Sequence, residues 1–166
     1  MRNLKRALSL VMAAAMLIGM MAVSASAADT YEDFTDKDEI KNTEAVATMV
    51  SLGVFNGKED GSYFDPTGIV TRAEMAKMIC VVLNGGKDPS LGTTVTNTYT
   101  DTVNHWASGY IEYCTQLGIV AGDGAGKFNP DATVTGSEAA KMLLVAMGYK
   151  SEVEGFTGAN WAIAVN

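Results

Sequence analysis

Apolar residues recur at helical spacing in four stretches of this chain. Val46, Met49, Val50 and Leu52 mark the first, which ends at Gly53; Met75, Met78, Ile79, Val82 and Leu83 mark the second, which ends at Gly85-Gly86. Ala107, Tyr110, Ile111, Cys114 and Leu117, closed by Gly118, make the third, and Ala139, Met142, Leu143 and Met147, closed by Gly148, the fourth. Intervals of three and four line one face of an α-helix, and a glycine just past the last apolar position is a C-terminal stop. The second and fourth stretches open with Thr71-x-x-Glu74 and Thr135-x-x-Glu138. In this capping box the threonine oxygen accepts from a backbone amide and the glutamate reaches back to the cap. Losing such a threonine costs about 1 kcal/mol.

The four stretches are two copies of one pair. An offset of 65 positions maps Val46 onto Ile111, Met49 onto Cys114 and Leu52 onto Leu117, so matched core-facing positions are expected. The loop inside each pair carries Gly57 and Gly61 before Phe64-Asp65-Pro66, or Gly122, Gly124 and Gly126 before Phe128-Asn129-Pro130. The second loop is one residue shorter, and the offset is 64 from there on. Phe64 and Phe128 are expected to plug the loops against the helices. The reading is a mainly α chain of tandem helix-loop-helix units, at residues 28–86 and 99–150, joined by a linker at 87–98. Residues 151–166 repeat the opening of a unit: Phe156-Thr157-Gly158 and Asn160-Trp161-Ala162 echo Tyr99-Thr100-Asp101 and His105-Trp106-Ala107. Repeats of this size cannot bury their apolar faces alone, so the units are expected to pack on each other.

Residues 1–27 stand apart. Arg2, Lys5 and Arg6 precede an apolar run from Ala7 to Val23, and Ala25-Ser26-Ala27 supplies small residues at a cleavage point. This is the form of a secretory signal peptide cut after Ala27, with no membrane anchoring expected once it is removed. Three of the 12 basic residues and none of the 19 acidic ones lie in it, so cleavage takes the net charge from −7 to −10. So acidic a chain lacks the dense basic face that nucleic acid requires. Cys80 and Cys114 fall at apolar helical positions and read first as buried thiols, with a disulfide chemically open to an exported protein. Two cysteines and one histidine make no metal set, and no cofactor is expected.

Together the aromatic-x-Asp opening, His105-Trp106-Ala107, Leu-Gly-Val/Ile, the Gly…Phe-x-Pro loop and Val70-Thr71-Arg72-Ala73-Glu74 resemble the S-layer homology module of exported bacterial surface proteins. The likeness covers nearly all of the chain after residue 27. It implies a pseudo-threefold assembly of three modules, incomplete here, with grooves that bind anionic, commonly pyruvylated secondary cell-wall polysaccharide. Function would then be noncovalent anchoring at the cell wall; the alternative is a structural surface module contacting other surface-layer proteins through degenerate grooves. The units depart from the pattern in different places. The first has Ile40-Lys41-Asn42 where the second has His105-Trp106-Ala107, and the second has Gly136-Ser137 where the first has Arg72-Ala73.

Glycan-binding candidates follow. Arg72, at the first position of a helix, is a cation where the macrodipole slightly disfavours one, which an anion sharing the site would explain. A plain ion pair with a neighbouring acid is the other reading of Arg72. Trp106 could stack on a sugar face or pack against Tyr110. His105 reads as a cap or a groove-side hydrogen bonder, and Asp101, like Asp36, as a cap for the following helix with a secondary polar contact to glycan. Thr71, Glu74, Thr135 and Glu138 are structural caps. A calcium loop of EF-hand type fails on spacing: with Asp60-Gly61 at positions five and six, Lys58 falls at a ligand position and Thr67 replaces the terminal glutamate. No nucleophile elbow, histidine pair or phosphate loop is present, so no catalytic residue is assigned.

Overall fold

A computed structural model describes residues 30–58, 61–93 and 96–150; the expected signal peptide and the start of a third unit lie outside them. Four helices form among the described residues: α1 (Thr43–Ser51), α2 (Arg72–Leu83), α3 (Ser108–Gln116) and α4 (Gly136–Ala146). Three single turns of 3-10 helix, Tyr31–Asp33, Lys37–Glu39 and Thr100–Thr102, complete the regular structure, and no strand is present among the described residues. The mainly α, tandem helix-loop-helix organisation is as the periodicity predicts. Both capping boxes close. Thr71 Oγ1 accepts from the Glu74 amide at 3.2 Å while Glu74 accepts from the Thr71 amide at 2.7 Å. Thr135 and Glu138 repeat this at 3.2 and 2.9 Å.

The core does not respect the boundaries between units. Ala73, Met75, Ala76, Ile79 and Cys80 of α2 pack with Tyr99, Ala107, Tyr110, Ile111, Cys114, Ile119, Val120, Phe128 and Met142 of the second unit. Thus α2 belongs by sequence to the first unit and by packing largely to the second. A smaller cluster of Phe34, Ile40, Val46 and Val50 holds α1 and the first turns together. Cys80 and Cys114 face each other across the α2–α3 contact as buried free thiols, their sulfurs 3.6 Å apart.

Several periodic positions do not face the core. Leu52, Leu117, Val82, Leu83, Leu143 and Met147 are exposed. Leu52 and Leu117 are the C-cap residues of their helices, where the chain is already leaving the helix axis. The buried face of α2 is rotated toward Ala73, Ala76 and Cys80, small side chains that admit a second helix closely. The ends of α1 and α2 also meet backbone to backbone: a Cβ on Gly53 would strike the Gly86 carbonyl, and one on Gly86 the Leu52 carbonyl. Both glycines hold φ values of +70° and +83°, where a side chain is strained in any case.

Asp36 and Asp101 do not cap the helices that follow them. Asp36 reaches across to accept the amides of Phe64 and Asp65 at 2.9 and 2.7 Å, and Asp101 accepts those of Phe128 and Asn129 at 2.9 and 2.8 Å. Each carboxylate clamps the tight turn of its own loop, in which Asp65 and Asn129 take left-handed φ values of 60° and 59°. Aspartate and asparagine tolerate that region better than other side chains, which accounts for the residue type at the centre of Phe-Asp/Asn-Pro.

Burial works against the charge on Asp36, but the Phe64 and Asp65 amides outweigh it and hold the carboxyl below its ordinary 3.8. A group whose folded pKa is depressed contributes stability that is whole above its unfolded value and is lost as pH falls through the folded one. The urea midpoint should therefore be flat from pH 7 to about 5 and drop below about 4. An Asp36→Asn variant, less stable at pH 7, should lose less on acidification, as circular dichroism at a series of pH values would show.

Candidate functional site

The residues singled out by sequence converge on one short loop, Phe128 to Ala132. Asp101 grips its first two amides from the opening of the same unit. His105 grips its middle: Nε2 lies 3.2 Å from Asp131 Oδ1, while Nδ1 accepts the Ala107 amide at 3.1 Å. That second bond leaves the proton on Nε2, which then donates to Asp131, and it supplies the N-terminal cap that α3 otherwise lacks. His105 is thus both a cap and a hydrogen bonder to the loop.

Arg72 holds the loop from the other unit. Its Nε donates to the Phe128 carbonyl at 2.9 Å, Nη2 to the Ala121 carbonyl at 2.9 Å, and Nη1 to Glu138 Oε1 at 2.7 Å. The guanidinium carbon lies 4.4 Å from the centre of the Phe128 ring, close enough for a cation–π contact. Backbone bonds run alongside: Arg72 and Ala73 amides to the Ala132 and Pro130 carbonyls at 2.9 and 3.0 Å, and the Val134 amide to the Val70 carbonyl at 2.9 Å. The Arg72 side chain is only 14% exposed. All three guanidinium nitrogens are therefore engaged, and among the described residues the side chain forms an inter-unit staple with an acid as one partner. Repulsion from the helix dipole is answered by the Glu138 carboxylate and two carbonyls. Burial works against charge on Glu138, but the Thr135 amide and hydroxyl and the Arg72 guanidinium hold its carboxyl below the ordinary 4.5.

Trp106 is the exception, an aromatic left at the surface. It is 47% exposed, with the His105 ring 5.5 Å and the Tyr110 ring 6.5 Å away, both tilted against it. Of the two readings offered by sequence, the indole is fixed at its edge by neighbours while much of its surface stays open. The first unit has no such feature, since Ile40 occupies the place of His105 and is buried in the small core, and exposed Lys41 stands where Trp106 would.

What sequence reading missed is the role of Ala121 and of the Phe128 carbonyl as acceptors for Arg72. A backbone oxygen carries no residue signature, and only the loop's folded path aims it. Glu138 was legible as a cap, but its second oxygen, turned to the neighbouring unit, was not. Among the described residues no cluster of histidine, cysteine, aspartate and glutamate is placed to hold a metal, and no helix is long and apolar enough to cross a membrane.

Comparison with known proteins matches the S-layer homology domain at residues 33–76 and 98–140, one match per unit. The chain is 31% identical over 151 residues to a cell surface protein of Thermoanaerobacter kivui, covering 90% of this chain and 19% of that protein. It is 27% identical over 154 residues to an uncharacterized cell wall amidase of Bacillus anthracis, covering 92% and 28%. An S-layer protein of Bacillus anthracis is 26% identical over 151 residues, covering 91% and 18%. The chain therefore spans less than a third of the length of these relatives. No solved structure matches it significantly. With both units matched in register and the helix-loop-helix fold repeated in each, the chain belongs to the S-layer homology family of cell-surface proteins.

Proposed function

We propose that this chain is a noncatalytic, wall-anchoring part of an exported protein and that it binds anionic, pyruvylated secondary cell-wall polysaccharide. The observation that carries this reading is Trp106, a half-exposed indole held by His105 and Tyr110 beside the Phe128–Ala132 loop. A flat aromatic face is the usual platform for the apolar side of a sugar ring, and a pre-fixed one loses little entropy on binding. In this reading Arg72 acts through the loop it staples, and Asp101 and His105 act by holding that loop in place. The relative that bears the name of an amidase shares with this chain 28% of its length, so its activity need not reside in the shared part. In this reading any catalytic part of the parent protein lies outside these units.

The test is retention on wall sacculi. Trp106→Ala should weaken cosedimentation about tenfold, since base or sugar stacking on an aromatic is of the order of 1 kcal/mol or more. Its urea midpoint should barely move, because so exposed a side chain contributes little to the core. Undiminished retention of the Trp106→Ala variant would remove the platform from the site.

A second reading, assembly through contacts with other surface-layer proteins, is favoured by one observation: the first unit has no aromatic platform at Lys41. Sacculi stripped of polysaccharide separate the two. The anchoring reading requires loss of retention, and the assembly reading requires that lattice formation persist without the glycan.

A further inference from the structure

Cys80 and Cys114 are the two cysteines of the whole chain, and the fold sets them against each other where α2 of the first unit meets α3 of the second. Their sulfurs stand 3.6 Å apart. Neither cysteine has a counterpart of its own kind. By the offsets between the copies, Cys80 corresponds to Leu144 and Cys114 to Met49. Other core positions keep their type between copies, as Val46 and Ile111 or Phe64 and Phe128 do. Thiols in place of leucine and methionine, at the two positions that meet across the seam, are not explained by packing alone.

The surroundings suit a bond between them. Ala73 and Ala76, both fully buried, let the α2 backbone lie close to α3. A disulfide holds its sulfurs about 2 Å apart, so the pair must close by about 1.5 Å, within reach of small side-chain rotations. Each sulfur now lies near a helix carbonyl, Cys80 Sγ 3.7 Å from that of Tyr110 and Cys114 Sγ 3.6 Å from that of Ala76. Those carbonyls sit inside α3 and α2, where the helical ladder already supplies a donor. Losing the weak S–H contacts therefore leaves no buried group unsatisfied.

We infer that Cys80 and Cys114 are a disulfide site, closed outside the cytoplasm by exchange with a small disulfide, and that the bond locks the first unit to the second. The Cys114 thiol, hydrogen-bonded to the Cys80 sulfur, holds the Cys80 thiol below its ordinary 9.0 against the effect of burial, and that same bond, together with burial, pushes Cys114 up. Cys80 is thus the sulfur that ionises first and attacks. Its thiolate breaks the S–S bond of the small disulfide, releasing one thiolate and forming a mixed disulfide. Cys114, as thiolate, then attacks the Cys80 sulfur and releases the second. The chain gives up two electrons, and both protons end on the two small thiols formed. Both sulfurs are sealed from water in the folded chain, so exchange runs while the seam is open, before α3 docks on α2 or in transient openings. Closure then shields the bond from reductant. The inference rests on export and stands independently of the anchoring reading.

The test begins with chain recovered from outside the producing cell, denatured in acid, alkylated with N-ethylmaleimide and weighed by mass spectrometry before and after reduction. No adduct before reduction and two after it are expected of a monomeric chain; any adduct before reduction, or a disulfide-linked dimer, overturns the site. The purified full chain is then equilibrated with oxidised and reduced glutathione, once folded and once in urea. The equilibrium constant for the intramolecular disulfide should be about a hundredfold higher in the folded chain, the factor by which such a bond stabilises a fold. A ratio of one or less overturns the lock. This comparison uses the unsubstituted protein, so no variant has to fold for it to decide.

Discussion

Phe128→Ala should cost about 4 kcal/mol of folding stability, the largest effect expected of any side-chain truncation around the seam. The ring is 1% exposed, packs against Tyr99 at 5.5 Å between centroids, and forms the surface over which the Arg72 guanidinium lies. Truncation leaves a cavity the size of the ring in the main core and removes the partner of a poorly exposed cation. The paired measurement is Phe64→Ala, whose side chain occupies the same place in the first unit but is only half-buried. A smaller cost, about 2 kcal/mol, is expected there because part of that ring is already in water. Urea unfolding of the two variants gives the comparison. Equal losses would mean that the two loops are equally enclosed, contrary to the asymmetry of the units.

Arg72→Ala should cost about 2–3 kcal/mol, more than a surface ion pair could supply. The Coulombic part is modest, since Glu138 is 41% exposed and water screens it. Most of the loss comes from leaving the Phe128 and Ala121 carbonyls without their donor and from uncovering the Phe128 ring. Arg72→Lys should recover only part of this, because one ammonium cannot reproduce three donors aimed from a planar fork. A double-mutant cycle with Glu138→Gln should return a coupling of about 1 kcal/mol. Coupling indistinguishable from zero would show that the ion pair adds nothing to the seam. Glycan retention by the Arg72→Lys protein, tested where it is still folded, then separates a direct ligand from a staple: a staple predicts retention in proportion to the folded fraction.

These two expectations describe one device. The loop Phe128–Ala132 is gripped by Asp101 from its own unit, by Asp131's bond to His105, and by Arg72 from the preceding unit. Stability and presentation of Trp106 are thereby linked, since His105, adjacent to Trp106, holds the middle of the same loop. A change that loosens the seam should be felt at the indole without touching it, and tryptophan fluorescence in a Trp161→Phe background reports on both.

Much of this molecule was legible along the chain. Helical periodicity located the four helices of the described residues, the Thr-x-x-Glu boxes marked the starts of α2 and α4 to the residue, and the duplication announced the pairing of like units. These are local properties: spacing, capping and turn chemistry act within a few residues, so they leave a readable trace. Which faces are buried was legible only in part. Val82, Leu83 and Met147 continue the apolar rhythm yet lie in water, while Ala73 and Ala76 are sealed because α2 is enclosed by another unit. The partners of Arg72 were not legible at all. They come from positions 121, 128 and 138, 49 to 66 residues away, and two of the three are backbone oxygens. Sequence alone determined the repeating unit and its family. Only the tertiary structure decided that one unit's arginine is engaged by its neighbour, because long-range packing fixes where a carbonyl points and no residue type records that direction.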